Sequence, residues 1–247
     1  VHRFFAPALD PGDELVSLPR DEAEHLTRVL RLSPGDTVAL FDGHGREYLA
    51  RIATASRRDV RLQVLSPRAA APESSLHVTL VQSVLKGDKM DDVVRDAVML
   101  GVAAIQPIVA KRSEVTVATV LRGARVERWR RVALASTKQS GRAVLPEVRM
   151  PLTLESWLGD PPASSRLMLV EPRADVTVSP ASELRSMQIP DSVALLVGPE
   201  GGWDRAECDL AAAQGVRLIS FGGRTLRADA VAIAVLSVVQ FLWDRSC

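Results

Sequence analysis

Three places in the chain end an apolar run on residues that let a ligand approach the main chain. VALLVGPEGGWDRAE puts Gly198, Pro199, Glu200, Gly201 and Gly202 at the mouth of a five-residue apolar run. LISFGGRTLRADA repeats the plan with Gly222 and Gly223, and LMLVEPR closes a third run with Glu171 and Pro172. Glycine admits backbone angles closed to other residues, and proline stiffens a loop. Together they present N–H and C=O groups in a fixed array. A tight turn with no ligand is an equally good reading of any one Gly-rich loop. Three strand ends, two of them Gly-rich, favour a pocket of backbone edges.

The pocket matches no common phosphate or hydrolytic site. No Gly-x-Gly-x-x-Gly follows an apolar run; GHGREY comes nearest and lacks the third glycine. LKGDKM has a lysine without P-loop glycine spacing. His2, His25, His44 and His77 are scattered and form no metal-binding pair, so no metal is expected. No serine sits in a nucleophile elbow.

The elements that must carry these loops fall into two groups. Residues 1–68 read as mainly β: DTVALFD, the turn GHG and REYLARIATA form a hairpin, and VRLQVL a further strand. One helix interrupts, DEAEHLTRVLRL, with Asp21 and Glu24 spaced as a capping box. A small barrel fits. SPRAAAPESS (66–75) lacks periodicity and marks a boundary. Beyond it, strands (LHVTLVQSV, AAIQPIVA, LMLVE, VALLVG, VRLISFG) alternate with helices. GDKMDDVVRDAVMLG has one apolar face and stops at Gly101; LRGARVERWRRVALASTKQ is basic and amphipathic. DRAECDLAAAQ opens on a second capping box, Asp204 with Glu207. This alternation predicts an α/β domain with a mostly parallel sheet covered on both faces. Ligands in such sheets sit beyond the carboxyl ends of the strands, where all three loops lie.

Composition limits the partners. The 247 residues are 47% hydrophobic and 25% charged, ordinary for a globular chain. Two cysteines, Cys208 and Cys247, make no disulfide framework. The segment VHRFFAPALDPGDE has no long apolar core and predicts no signal peptide. AVAIAVLSVVQFLW falls short of the roughly 18 apolar residues of a membrane span, so a cytoplasmic protein with no membrane partner is expected. That stretch is apolar on nearly all faces and is either core or the face that meets a second subunit. Net charge is +1, yet residues 111–142 hold nine basic residues against two acidic ones. Such a field can steer a polyanion, or can simply be a solvated helix face.

LKGDKMDDVVRDAVMLG, RSEV, ALASTKQSGRAVLPEV, LLVGPEGG and LISFGGRTLRADA closely resemble the RsmE family, bacterial 16S ribosomal RNA uridine N3-methyltransferases of the SPOUT superfamily. The resemblance covers nearly the whole chain, including RVLRLSPGD near the start. It implies a PUA-like RNA-binding β-barrel (1–70) and a SPOUT α/β domain (71–247) with a deep trefoil knot over about 168–232. It also implies S-adenosylmethionine (SAM) as cofactor, a homodimer with the site near the subunit interface, and a uridine in the decoding region of the small subunit's 16S rRNA as substrate. Carried over residue by residue, the cofactor site is Leu169, Val170 and Glu171, then Val197, Gly198, Pro199, Glu200, Gly201 and Gly202. Ser220, Phe221 and Gly222, with Leu226 and Arg227, complete it.

The substrate that the resemblance implies sets the chemistry to be done. Uracil N3 becomes a nucleophile once its proton leaves and charge spreads to the two ring oxygens. Arg227 is placed to stabilise that charge, or else to pair with a phosphate or carboxylate. Glu200 or Asp229 could accept the proton. Glu200 could instead hold the loop or a substrate hydroxyl, and Asp229 could cap the last helix. The family's Leu-Arg-Thr-Glu-Thr-Ala reads here Leu226-Arg227-Ala228-Asp229-Ala230-Val231, two hydroxyls and one methylene fewer. RNA contacts would come from Arg3, Arg28 and Arg31 of the barrel, with Lys86, Lys89, Lys111, Arg112, Lys138 and Arg142. Residues 1–68 hold ten basic and ten acidic residues, so any RNA face there depends on clustering. An inactive ribosome-assembly factor and a ribose 2′-hydroxyl methyltransferase are the competing functions.

Overall fold

The computed structural model describes residues 1–10, 12–56, 59–159, 165–172 and 176–246. Cys247, the second expected free thiol, lies outside them. The chain packs as two units, Val1–Glu73 with Leu134–Leu145, and Ser74–Ala133 with Pro146–Cys247.

In the first unit, β1 (Arg3–Phe5), β2 (Leu15–Ser17), β3 (Thr37–Phe41), β4 (Glu47–Ala55) and β5 (Val60–Arg68) form a sheet ordered β1-β3-β4-β5-β2. The expected hairpin is β3–β4, antiparallel from Thr37↔Arg51 to Phe41↔Glu47. Register shifts at Leu49/Ala50 and Ile52/Thr54 bend the long β4–β5 ladder. The ladder is an open path whose end strands β1 and β2 do not pair, so the barrel is a curled sheet rather than a closed ring. Its core buries Phe4, Leu26, Leu40, Ile52 and Leu62.

Two local expectations fail here. The capping box of Asp21 with Glu24 does not form. Pro19 takes the N-cap position of α1 (Arg20–Glu24), which puts Asp21 inside the first turn. The chain then widens into a π-helical turn, His25–Val29, and Arg31 follows with φ +54°. The boundary segment also begins later than expected, since β5 runs on through Arg68.

The second unit has the parallel sheet that the alternation predicts. Its strands are β6 (His77–Ser83), β7 (Ala104–Val109), β8 (Glu147–Val148), β9 (Leu152–Thr153), β10 (Ser165–Leu169), β11 (Ser179–Pro180), β12 (Ser192–Val197) and β13 (Arg217–Ser220). The order is β11-β13-β10-β12-β6-β7-β8, with β9 on β7, and every pairing is parallel. Its helices are α2 (Lys89–Met99), α3 (Val117–Arg122), α4 (Arg125–Ser140), α5 (Leu154–Leu158), α6 (Arg205–Ala213) and α7 (Ala228–Trp243). The basic helix read as one piece is two, because Gly123 leaves the helical region with φ −89° and ψ 161°. α4 continues from the second unit into the first.

Alternation along the central strands covers both faces. Val81, Met168, Ala194 and Leu196 pack with Trp157 of α5 and Ala211 of α6. Leu80, Leu167 and Leu195 are fully buried between them in sequence, and so point to the opposite face. α2 and α7 pack against one another, and α7 packs on β12.

Candidate cofactor pocket

The carboxyl ends of β10, β12 and β13 meet at a cavity of about 300 Å³, at the lower end of the range for small-molecule sites. Leu169, Val170 and Glu171 wall it from β10. Val197, Gly198, Pro199, Glu200 and Gly202 wall it from β12. Phe221, Leu226 and Arg227 come from the segment between β13 and α7, and Asp229 from the first turn of α7. Of the residues expected at the cofactor, Gly201, Ser220 and Gly222 do not line it.

The loop after β12 is built for close approach. Gly202 has φ +68°, and a Cβ there would lie 2.6 Å from Glu171 Oε1. Gly202 N–H donates to Pro199 C=O at 3.0 Å and closes the turn. The capping box expected after it forms: Asp204 accepts from Ala206 N–H, and Glu207 accepts from Asp204 N–H, at the start of α6.

Sequence reasoning missed Trp203. Its indole lies beside Gly198, where a Cβ would meet the ring at 3.1 Å. Its Nε1–H donates to Leu169 C=O at 2.9 Å and ties the ends of β10 and β12 together. An aromatic directly after a glycine pair was the available signal. Lys89, Arg224 and Thr225 also line the cavity.

The charged groups are paired. Arg227 Nε and Nη2 donate to Asp229 Oδ1 and Oδ2 at 3.2 and 3.1 Å. Asp229 lies in the first turn of α7, where a carboxylate is stabilised by the helix dipole. Glu200 Oε1 accepts from Lys89 Nζ at 2.8 Å and from Lys86 N–H at 3.2 Å. Burial works to raise the Glu200 pKa, but the Lys89 hydrogen bond and backbone N–H donors together hold it below the usual carboxylate value. Among the described residues no group of His, Cys, Asp or Glu could hold a metal ion. No described helix is long and apolar enough to cross a membrane.

The cations expected at RNA divide sharply. Arg3 turns inward: it pairs with Glu47 at 2.6 Å, donates to the carbonyls of Thr137, Lys138 and Arg142, and stacks on Phe41. Arg142 is buried against Glu73. Lys138 pairs with Glu22 at 2.8 Å, and Lys86 pairs with Glu114. Lys111 and Arg112 both reach Asp204, at 3.0 and 3.5 Å. Arg28 and Arg31 are exposed on the π-turn and just after it.

Comparison with known proteins fits this geometry. The family model for an RNA methyltransferase domain matches residues 72–240, and one for an RNA methyltransferase PUA domain matches 18–65. The ribosomal RNA small subunit methyltransferase E of Synechocystis is 30% identical over 231 residues, 93% of this chain and 74% of that protein. The protein of that name from Neisseria gonorrhoeae, solved with S-adenosyl methionine bound, superposes with TM-score 0.87 at 28% identity, over 100% of this chain and 99% of that one. A Legionella pneumophila protein solved in complex with SAM gives TM-score 0.87 at 29% identity, over 97% and 96%.

Proposed function

The chain belongs to the ribosomal RNA small subunit methyltransferase E family, and on that premise we propose that it methylates N3 of a uridine in the decoding region of 16S rRNA, using SAM. The cavity at the three strand ends carries the reading. Its donor set suits a ligand with a sulfonium, an ammonium and a purine. Glu171, Glu200 and Asp229 supply negative charge, and Leu169, Val170, Val197 and Phe221 supply apolar wall. When bound, SAM supplies a methyl group already activated on its sulfonium.

The residues of the chain then have two tasks. One is to make N3 nucleophilic. The Arg227 guanidinium, 72% exposed at the cavity, stabilises charge on the ring oxygens as the N3 proton leaves. Asp229, beside Arg227, takes that proton. Glu200 is held instead by Lys89, which keeps its carboxylate ionised. The other task is to fix the two reactants in line and exclude water. Trp203 and the Gly202 turn do this by locking the strand ends together.

We read residues of about 168–232 as threaded into a trefoil knot of the SPOUT kind, and the protein as a cytoplasmic homodimer. α7 supports the dimer: Ala230, Ala234, Val238 and Phe241 follow one helical stripe, and Phe241 is 88% exposed. Burying such a stripe against a second copy removes apolar area from water. Arg28 and Arg31 are the barrel's phosphate contacts, and Arg3 and Arg142 act as internal braces.

The test is methyl transfer from labelled SAM to small subunits taken from cells lacking this modification, followed by digestion to nucleosides and mass identification. N3-methyluridine at one site is expected. Ribose methylation, or no transfer with SAM bound, overturns the assignment. Arg227→Ala should cut turnover by about 10²–10³ with SAM still bound; unchanged turnover removes Arg227 from the chemistry.

A further inference from the structure

Four lysines and arginines outside the cavity's glycines converge on one short loop. Lys86 lies between β6 and α2, Lys89 opens α2, and Lys111 and Arg112 follow just after β7. From the first pair, Glu200 Oε1 receives Lys89 Nζ at 2.8 Å and Lys86 N–H at 3.2 Å. From the second, Lys111 Nζ and Arg112 Nη2 reach Asp204 at 3.0 and 3.5 Å, and Arg112 Nη1 donates to Gly201 C=O at 3.3 Å. Lys111 N–H also donates to Glu207 at 2.8 Å. The arm of Arg112 packs against Gly201, where a Cβ would lie 3.2 Å from the Arg112 Cβ.

These contacts fall on both sides of the tight turn at Gly201–Gly202. A five-residue loop with three glycines has high conformational freedom when unbound. Fixing it beforehand lowers the ordering cost of ligand binding. Lys111 and Arg112 remain 63% and 51% exposed, yet they and Lys89 each have a carboxylate partner on this loop or its helix cap, so their charge is already balanced before any phosphate arrives.

Resting on the SAM reading, we propose that Lys89, Lys111 and Arg112 are positioning residues for the cofactor loop and not RNA contacts. Lys89 acts through Glu200, and Lys111 with Arg112 acts through Asp204 and the Gly201 carbonyl. Their positive charge, which the sequence presents as part of a basic tract, is then neutralised inside the methyltransferase unit.

The experiment measures two affinities for the same variants. SAM binding is followed by calorimetry, and small-subunit binding as a function of salt. Lys89→Met and the double variant Lys111→Ala with Arg112→Ala should each weaken SAM about twofold to fivefold, the upper part of the range for exposed ion pairs. The salt slope of RNA binding should not move. Lys89→Arg should restore SAM affinity. In a Glu200→Gln background, Lys89→Met should cause no further loss. An unaltered SAM affinity overturns the proposal, as does a salt slope that falls by about one per cation removed. A Lys89→Met effect that persists undiminished in Glu200→Gln overturns the route through Glu200. Amide exchange across residues 198–204 provides a readout independent of the ligand: the double variant should lose protection there, and unchanged protection also overturns the proposal. If the wild-type protein bound no SAM, the functional reading would fall while the exchange result still decided the loop's bracing.

Discussion

Alanine substitutions at three glycines separate the two things glycine does at this cavity. Gly223 has open space around it and no left-handed φ, so Gly223→Ala should be neutral or slightly stabilising. Gly222 has φ +76° with open space, so Gly222→Ala isolates the backbone cost of about 1–2 kcal/mol. For a chain of this length that lowers the melting temperature by about 2–8 °C. Gly202 has φ +68°, and its added Cβ would come within 2.6 Å of Glu171 Oε1. The carboxylate is the far end of a flexible side chain and can swing away, so Gly202→Ala should cost little more stability than Gly222→Ala. The displacement removes Glu171 from the cavity wall. Losing one charge-assisted contact to a bound cation is worth about 1.5–3 kcal/mol, or roughly 10- to 100-fold in affinity. Thermal unfolding and SAM calorimetry on the three variants give the answer. Equal SAM affinity for Gly202→Ala and Gly222→Ala would remove Glu171 from cofactor binding. Equal stability of Gly222→Ala and Gly223→Ala would refute the backbone term.

Three further outcomes are expected. Trp203→Phe deletes the indole N–H that serves Leu169 C=O; leaving that buried carbonyl unpaired should cost about 1–3 kcal/mol in urea unfolding, and a smaller loss would mean that water replaces the donor. The lowered Glu200 pKa means that its contribution to stability is complete above the ordinary carboxylate value of 4.5 and is lost as pH falls through the folded value. Unfolding midpoints from about pH 6 to about pH 3 should therefore drop less steeply in Glu200→Gln than in wild type. Burial, with the Glu207 and Asp209 carboxylates, pushes the Cys208 thiol up to about 11. Native protein should resist alkylation at Cys208 near neutral pH, as peptide mass mapping would show, and label there only after unfolding.

What the sequence made legible was local. VALLV followed by GPEGG places a buried parallel strand and its carboxyl end, and Asp204 with Glu207 forms the box that its spacing predicts. The Asp21–Glu24 spacing looks the same yet fails. Glu22, between them, accepts from Phe5 N–H and Lys138 Nζ, so tertiary partners fix that turn. Gly123 shows the reverse case, a local breaker that a long amphipathic pattern conceals. Trp203 on Leu169 and Lys89 on Glu200 join residues 34 and 111 positions apart in the chain, and no periodicity reports such pairs. Positive charge was visible at Arg3 and Arg142, but whether a cation faces solvent or a buried carboxylate depends on a partner 44 residues or more away.

The first unit is discontinuous in the chain, and this bears on its synthesis. Arg3 needs the carbonyls of Thr137, Lys138 and Arg142, Glu73 needs Arg142, and Gly45 N–H needs Ala143 C=O. None of these exists when residue 73 leaves the ribosome. At about 5–20 residues per second, the N-terminal sheet waits on the order of 4–14 s for the segment that completes it. All five strands are thus present during translation while Arg3, Gly45 and Glu73 still lack these partners, and a fragment cut at residue 73 would keep that nascent state permanently.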